Sequence, residues 1–366
     1  MKGKINLKFI HMADMHFDTP FIVLNSRNKL GEKRRLEQRE YLKKIIDYIK
    51  QNNIEYLFIA GDLYDNEHIR KTTIEYINNL FKEIPNTKIY ITPGNHDPYI
   101  NGSMYKTFNW NDNVHIFSHK IERVENPDCD IYGFGFDDFY CKDSDISSIN
   151  IKNKEKINIL ITHGTLNGSL AQAMLYNPLN KNELENLGFD YVALGHIHKT
   201  NINVDKNQKI IYPGSTIAIG FDEPGEHGII VGEVSKDKLE LQFMKIDNKE
   251  FKEMELDISD INSEEELIEK MNSLELAENV FYKIILVGNK NFEVNKYNLL
   301  KYISKENIIK IKNETKLKID LEEVSKQSNL KGLFVKEILN ELENNNYDKK
   351  LLENALEIGL EVWDTK

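Results

Sequence analysis

The chain has 366 residues, of which 40% are hydrophobic and 29% charged, with a formal net charge of −11. That balance describes a folded protein with room for one large domain and a smaller one. It excludes a transmembrane helix, because no apolar run approaches the roughly 20 residues a bilayer crossing needs. It also argues against tight binding of duplex DNA by charge alone.

Two cysteines, Cys129 and Cys141, occur without a CxxC pair. They offer neither a disulfide framework nor a thiolate zinc site. The opening "MKGKINLKFIHMADMHF" has no long apolar centre and no small-residue cleavage site, so a cytoplasmic protein is expected.

The first apolar run, "INLKFIHMADMH", reads as a strand that ends on Asp14 and His16. "RRLEQREYLKKIIDYIKQNN" follows, with Leu36, Leu42, Ile45, Ile46 and Ile49 at helical spacing. Lys33, Arg34, Arg35, Arg39, Lys43 and Lys44 on this helix form the best basic cluster for contact with DNA. Interleaved glutamates fit an ordinary solvated face equally well. "YLFIAGDLYD" is the second strand and closes on Asp62 and Asp65. A second amphipathic helix, "IRKTTIEYINNLFKEI", leads to "KIYITPGNHD", which closes on Asn95, His96 and Asp97. "INILITHG" closes on His163, and "YVALGHIHKT" on His196 and His198.

Five β-like runs thus end in Asp, Asn or His, with Gly61, Gly94, Gly164 and Gly195 beside four of these ends. Strand–helix alternation predicts an α/β layered fold. In such folds sites gather at the carboxyl ends of the strands. In an extended segment His196 and His198 would face one spot, roughly 6–7 Å apart at the backbone. The pooled donors are Asp14, His16, Asp62, Asn95, His163, His196 and His198. They are too many for one tetrahedral zinc and suit two divalent ions sharing a carboxylate. Oxygen and imidazole ligation suits manganese, iron or zinc, and ligand type alone does not choose among them. The other histidines, His11, His68, His115, His119 and His227, are expected to be surface or satisfied residues.

The order DxH, GDxxD, GNHD, H, GHxH resembles the calcineurin-like metallophosphoesterase superfamily. "IIYPGSTIAIGFDEPGEHGIIVGEV", with Tyr212-Pro213-Gly214-Ser215 and two following strand-like runs, is similar to the end of the nuclease domain in the SbcD family. "FIHMADMHFDTPF" looks closer still to the YhaO-type branch of bacterial DNA-repair exonucleases. The resemblance covers residues 7–246 clearly and the remainder loosely. It implies a four-layer α-β-β-α sandwich. Asp14, His16, Asp62 and His198 would hold one metal, and Asp62, Asn95, His163 and His196 the second, with Asp62 bridging. His96 would face the scissile phosphate and protonate the leaving oxygen or stabilise its charge. Asp97 would orient that imidazole or form a turn. Asp65 stands where some relatives carry His and is expected to act only behind the ligands.

The same resemblance divides the chain into a nuclease domain (1–248), a small β/α capping domain (249–325) and a C-terminal helical segment (326–366). Ser263 and Glu266 form a capping-box pattern before "ELIEKMNSL". Leu330, Leu333, Phe334, Ile338 and Leu342 would line one terminal helix, and Leu352, Ala355, Leu356, Leu360 and Trp363 another. These would pack on the cap or dock an SMC-like, SbcC-like ATPase partner. The expected function is a metal-dependent DNA exonuclease or endonuclease subunit, binding DNA weakly alone, with a homodimer possible and no membrane association. The competing readings are a phosphodiesterase or phosphatase acting on small molecules or phosphoproteins, and a scaffold for an ATPase complex.

Overall fold

Strand β1 (Leu7–Met12) is buried on both faces except at Lys8. Alternate strand residues point to opposite faces, so each face needs its own cover, and the chain supplies a second sheet on one side and helices on the other. The computed structural model describes residues 6–27, 29–142, 146–166, 176–202, 208–317, 321–344 and 347–364.

The elements run in chain order. After β1 come α1 (Leu30–Asn52), β2 (Tyr56–Ala60), α2 (Lys71–Lys82), β3 (Lys88–Thr92), α3 (Met104–Thr107), β4 (Val114–Ile116), β5 (Glu122–Glu125) and β6 (Cys129–Gly133). Next are β7 (Ile157–His163), β8 (Thr165–Leu166), β9 (Pro178–Leu179), α4 (Lys181–Leu187), β10 (Tyr191–Gly195), β11 (Ile210–Ile211), β12 (Gly228–Val234) and β13 (Leu239–Lys245). The rest is β14 (Glu250–Asp257), α5 (Glu264–Asn272), β15 (Val280–Val287), β16 (Asn289–Lys290), α6 (Lys296–Tyr302), β17 (Ile308–Asn313), β18 (Lys316–Leu317), α7 (Leu321–Ser325), α8 (Leu330–Asn344) and α9 (Lys349–Asp364).

Two mixed sheets carry the architecture. One has the order β13-β12-β1-β2-β3-β4, the other β11-β10-β7-β6-β5. Strands β1 to β4 run parallel, while β12 is antiparallel to both β1 and β13. In the second sheet β6, β7, β10 and β11 are parallel and β5 is antiparallel. Phe9, Phe58 and Tyr90 of the first sheet pack with Ile131, Ile159, Ile161 and Ala193 of the second, filling the layer between them. The opposite face of the first sheet, with Ile10, Leu57, Ile59 and Ile91, packs on Leu42, Ile45 and Ile46 of α1 and Ile74, Ile77 and Phe81 of α2. Leu160, Val192 and Leu194 on the outer face of the second sheet meet Leu184 of α4. The layers are therefore α-β-β-α.

The chain divides into two compact units. The first comprises Met1–Met254, Glu275–Ile284 and Ser304–Lys310, the second Glu255–Leu274, Ile285–Ile303 and Ile311–Lys366. Strands β14, β15 and β17 form a three-stranded sheet. In the second unit Ser263 caps α5 by accepting the Glu266 N–H at 3.2 Å. The Glu266 carboxylate reaches back to the Asn262 N–H rather than to that of Ser263. Val335, Leu356 and Leu360 form the small core of the terminal helices, with Phe334, Ile338 and Leu339 packed on it. Leu330 and Leu333, expected to pack on the cap or to dock a partner, are not part of this core. They lie on the solvent side at 76% and 60% exposure, because the buried stripe of α8 passes through Val335 instead. The Trp363 side chain lies outside the described residues.

Helix α1 corrects two expectations. Its inward stripe begins with Arg34, Gln38, Tyr41 and Leu42, which leaves Leu36 60% exposed. Arg34 is not a DNA-facing cation. It is buried, ion-paired to the equally buried Asp247 and bonded to the Ala218 carbonyl at 3.0 Å. Arg39 bonds Asp18 at 3.1 Å and Thr73 at 2.7 Å, and Lys43 pairs with Asp47. Lys33 and Lys44 remain exposed.

Candidate metal centre

Strands β1, β2 and β3 of one sheet and β7 and β10 of the other deliver their carboxyl ends to one place. Asp62, just past β2, has one carboxylate oxygen 3.3 Å from His163 Nε2 and 3.8 Å from His16 Nε2. His16 Nε2 lies 3.3 Å from His198 Nε2, which is 3.7 Å from an Asp14 oxygen. On the other side, the Asn95 carbonyl oxygen is 3.0 Å from His163 Nε2 and 3.1 Å from His196 Nδ1. All seven expected donors are thus brought together, with Asp62 between the His16 side and the His163 side. Asp14 with His16 and His198, and Asp14 with Asp62 and His163, each offer ligand atoms within 4.8 Å of one another. His96 joins His16 and Asp62 in a third such group and is itself exposed.

The backbone is bent to do this. Asp14, His16, Asp62 and His196 have φ of 51°, 48°, 52° and 101°. Such left-handed geometry is uncommon for residues with a Cβ and clusters at functional sites. The two sheets also approach closely here. A Cβ on Gly195 would lie 1.8 Å from the Ala60 carbonyl oxygen, and one on Gly61, at φ +88°, 2.2 Å from His163 Nδ1. Glycine at both positions lets the strand ends meet.

Hydrogen bonds set the tautomers. His163 Nδ1 lies 2.9 Å from the Ala60 carbonyl, which can only accept. The Nδ1–H is thereby donated and Nε2 left for a metal. Glu223 does the same for His198, its carboxylate 2.5 Å from Nδ1. This carboxylate–histidine pairing is the usual support of a metal-binding imidazole. The other Glu223 oxygen accepts from the Ile219 N–H at 3.1 Å and lies 3.2 Å from the Ser215 hydroxyl. His227 sits behind it, 2.8 Å from Ser215 Oγ.

Charge follows geometry. Burial opposes a charged His163, but Asp62 beside it pulls the imidazole up to about 9. Burial likewise opposes a charged His198, while Glu223 and Asp14 raise it to about 9. Asp62 is buried, yet His163 and His16 hold its carboxyl well below the usual range. Burial lifts Asp14 to about 6 and depresses His16 and His196 to about 3. Ionised carboxylate and imidazole nitrogen, without thiolate, form a donor set that fits divalent cations of intermediate hardness.

Of the two roles expected of Asp97, the geometry fits the turn rather than the His96 imidazole. Its buried carboxylate accepts the N–H groups of Asp62, Leu63 and Gly94 at 3.0, 2.6 and 2.6 Å, and the Tyr105 hydroxyl at 2.5 Å. What it orients is the turn that carries Asp62. The His96 N–H in turn donates to Asp62 at 2.8 Å. Asp65 bonds locally, to the Glu67 N–H at 3.3 Å and beside His68. Gln38, also unforeseen, donates from the helix to the carbonyls of Met15 and His16, both at 2.9 Å.

Residues 7–200 match the model of the calcineurin-like phosphoesterase family. An uncharacterised metallophosphoesterase, YhaO, from Bacillus subtilis is 26% identical over 267 residues, covering 70% of this chain and 64% of that protein. The SbcD component of the SbcCD nuclease from Staphylococcus epidermidis is 28% identical over 254 residues, covering 59% and 63% respectively. The chain thus spans less than two thirds of the length of these relatives. The structure of purple acid phosphatase PPD1 isolated from yellow lupin seeds aligns at 12% identity with a TM-score of 0.41, covering 66% of this chain and 52% of that one. With the family model matched across more than half its residues, the chain belongs to the calcineurin-like phosphoesterases, a family of metal-dependent phosphoester hydrolases.

Proposed function

We propose that the chain is a metal-dependent nuclease that hydrolyses DNA phosphodiester bonds at this centre. The observation that carries it is the meeting of seven oxygen and imidazole donors from five strand ends, with Asp62 between the two groups. Asp14, His16, Asp62 and His198 would hold one ion, and Asp62, Asn95, His163 and His196 the other, with manganese the first choice. When bound, such a pair activates water and neutralises charge on the phosphoryl group. His163 and His198 are held by Ala60 and Glu223 in the tautomer that ligation requires. His96, exposed beside Asp62 and fixed through its own N–H, is the group to protonate the leaving oxygen. Asp97 positions Asp62.

The likeness to one component of a bacterial nuclease supports DNA as substrate. Weak DNA binding by the chain alone is supported by its net charge of −11 and by the internal partners of Arg34, Arg39 and Lys43. An SMC-like ATPase partner would then supply affinity. The division into a nuclease domain (1–248), capping domain (249–325) and terminal helical segment (326–366) belongs to the same proposal.

The test is digestion of end-labelled single-stranded and duplex oligonucleotides by chelator-stripped protein given manganese, alongside a small chromogenic phosphodiester. Manganese-dependent laddering, lost in His96→Ala while metal binding is kept, is expected. Cleavage of the small diester alone would move the substrate to small molecules. Wild-type turnover by a folded, metal-loaded His96→Ala variant would refute the acid role.

A further inference from the structure

Beside the metal centre the chain lays down a row of rings. His196, half-buried, has the Tyr176 ring 4.9 Å from its own, the planes 32° apart. Tyr140 follows at 5.9 Å and 37° from Tyr176, and is 54% exposed. Phe139, next in the chain, is 38% exposed. The row thus climbs from a donor of the metal site to solvent. Its backbone is tied down. The Asn177 N–H donates to the Cys141 carbonyl at 2.6 Å, and the Thr165 N–H to the Tyr176 carbonyl at 3.0 Å. The buried Asn177 side chain donates to the His163 carbonyl at 2.7 Å. Tyr176 is therefore bracketed by bonds to the same strand end that presents His163.

Phe139 and Tyr140 are adjacent in the chain and both exposed, at the solvent end of the row. Fixed aromatic faces beside a phosphate-processing centre suit planar bases, since every nucleobase has a π-face to stack. Asp137 and Asp138 precede the rings and Lys142 follows them. Carboxylates repel a phosphate and tolerate a neutral base, so this strip takes the base while the phosphate goes to the metals.

We propose that Tyr140, backed by Tyr176, forms a stacking platform for an unpaired nucleobase next to the scissile phosphate, which makes a single-stranded nucleic acid the preferred substrate. This rests on the phosphodiesterase reading of the metal centre. A base paired within a duplex presents no free face to the platform, so an intact duplex is a poor substrate until its end is opened.

The experiment uses the full chain with manganese and a hydrolysis-resistant phosphorothioate single strand carrying 2-aminopurine at each position in turn. Wild type is expected to quench the probe at one or two adjacent positions. Tyr140→Ala, at an exposed site, should abolish that quench and weaken binding about tenfold or more. Tyr140→Trp should retain both. A strand made abasic at the quenched position should bind wild type and Tyr140→Ala equally. Equal quenching by wild type and Tyr140→Ala, or no quenching by wild type anywhere, overturns the platform. Cleavage of an unmodified strand is read in parallel. Cleavage without quenching removes the platform and leaves the nuclease, while quenching without cleavage leaves the platform and removes the nuclease.

Discussion

Replacing Glu223 separates a carboxylate that sets a tautomer from one that merely fills a loop. One oxygen is 2.5 Å from His198 Nδ1, and the other accepts the Ile219 N–H at 3.1 Å. A backbone N–H can only donate, so in Glu223→Gln the amide oxygen must take the Ile219 side. The amide NH2 then faces Nδ1, which has to accept, and the imidazole proton moves to Nε2. That nitrogen is the atom 3.7 Å from Asp14 and 3.3 Å from His16, where a metal would bind. Glu223→Ala leaves the ring free to choose. Loss of a carboxylate behind a metal-binding histidine typically lowers affinity 10- to 100-fold, about 1.4–2.8 kcal/mol. We expect Ala near the lower figure and Gln near or beyond the upper. Manganese titration calorimetry on chelator-stripped protein reads both. Gln binding metal as tightly as wild type, or more tightly than Ala, would refute the tautomer argument.

Three further outcomes follow from buried groups that are not themselves ligands. Asp247→Ala should cost about 3–5 kcal/mol in urea unfolding, because it removes the only fully buried carboxylate paired with Arg34 among the described residues; a cost under 1 kcal/mol would mean that Glu37 and water suffice for the guanidinium. Asp97→Asn should unfold at lower urea by about 1–3 kcal/mol and lose activity too, since an amide cannot accept the three backbone N–H groups and the Tyr105 hydroxyl together; unchanged stability argues that the turn is held elsewhere. Burial pushes His11 down to about 3, its Nδ1 lying 2.9 Å from the Tyr191 hydroxyl. With the folded value depressed, the unfolded chain takes up the proton first as pH falls. His11 therefore contributes full stability above about pH 6.5 and loses it toward pH 3, on the order of 2 kcal/mol by pH 5. The pH 8 to pH 5 loss should shrink by that amount in His11→Gln, and an unchanged loss would contradict it.

The strand ends were legible because their chemistry interrupts apolar runs. Asp14, Asp62, Asn95, His163 and His196 each follow a buried β-run, where a polar group has little reason to stand unless it is used. The alternation with helices then implied one shared edge. Glu223 was not legible. It lies on a loop 25 residues past His198 with no periodicity around it, and its pairing exists only through the fold. Asp97 was half legible: adjacency to His96 left contact with its imidazole or a turn open, and only the fold shows that the carboxylate points back into the backbone of the Asp62 loop. Arg34 misled because charge was read as exposure. Its buried partner Asp247 is 213 residues away, and that pairing, with Glu37 and the Ala218 carbonyl, makes burial tolerable.

The left-handed backbone at Asp14, His16, Asp62 and His196 has a consequence for the life of the protein in a cell. At about 1 kcal/mol each, the four bends hold back some 4 kcal/mol, a sizeable part of the 5–15 kcal/mol by which a domain usually stays folded. Bound ions restore that margin by mass action. Starvation for the metal would then shorten the protein's half-life as well as silence it, so that its abundance reports the metal supply. A pulse-chase in metal-depleted cells reads this directly. Turnover that ignores the metal would mean that the bends are supported without it.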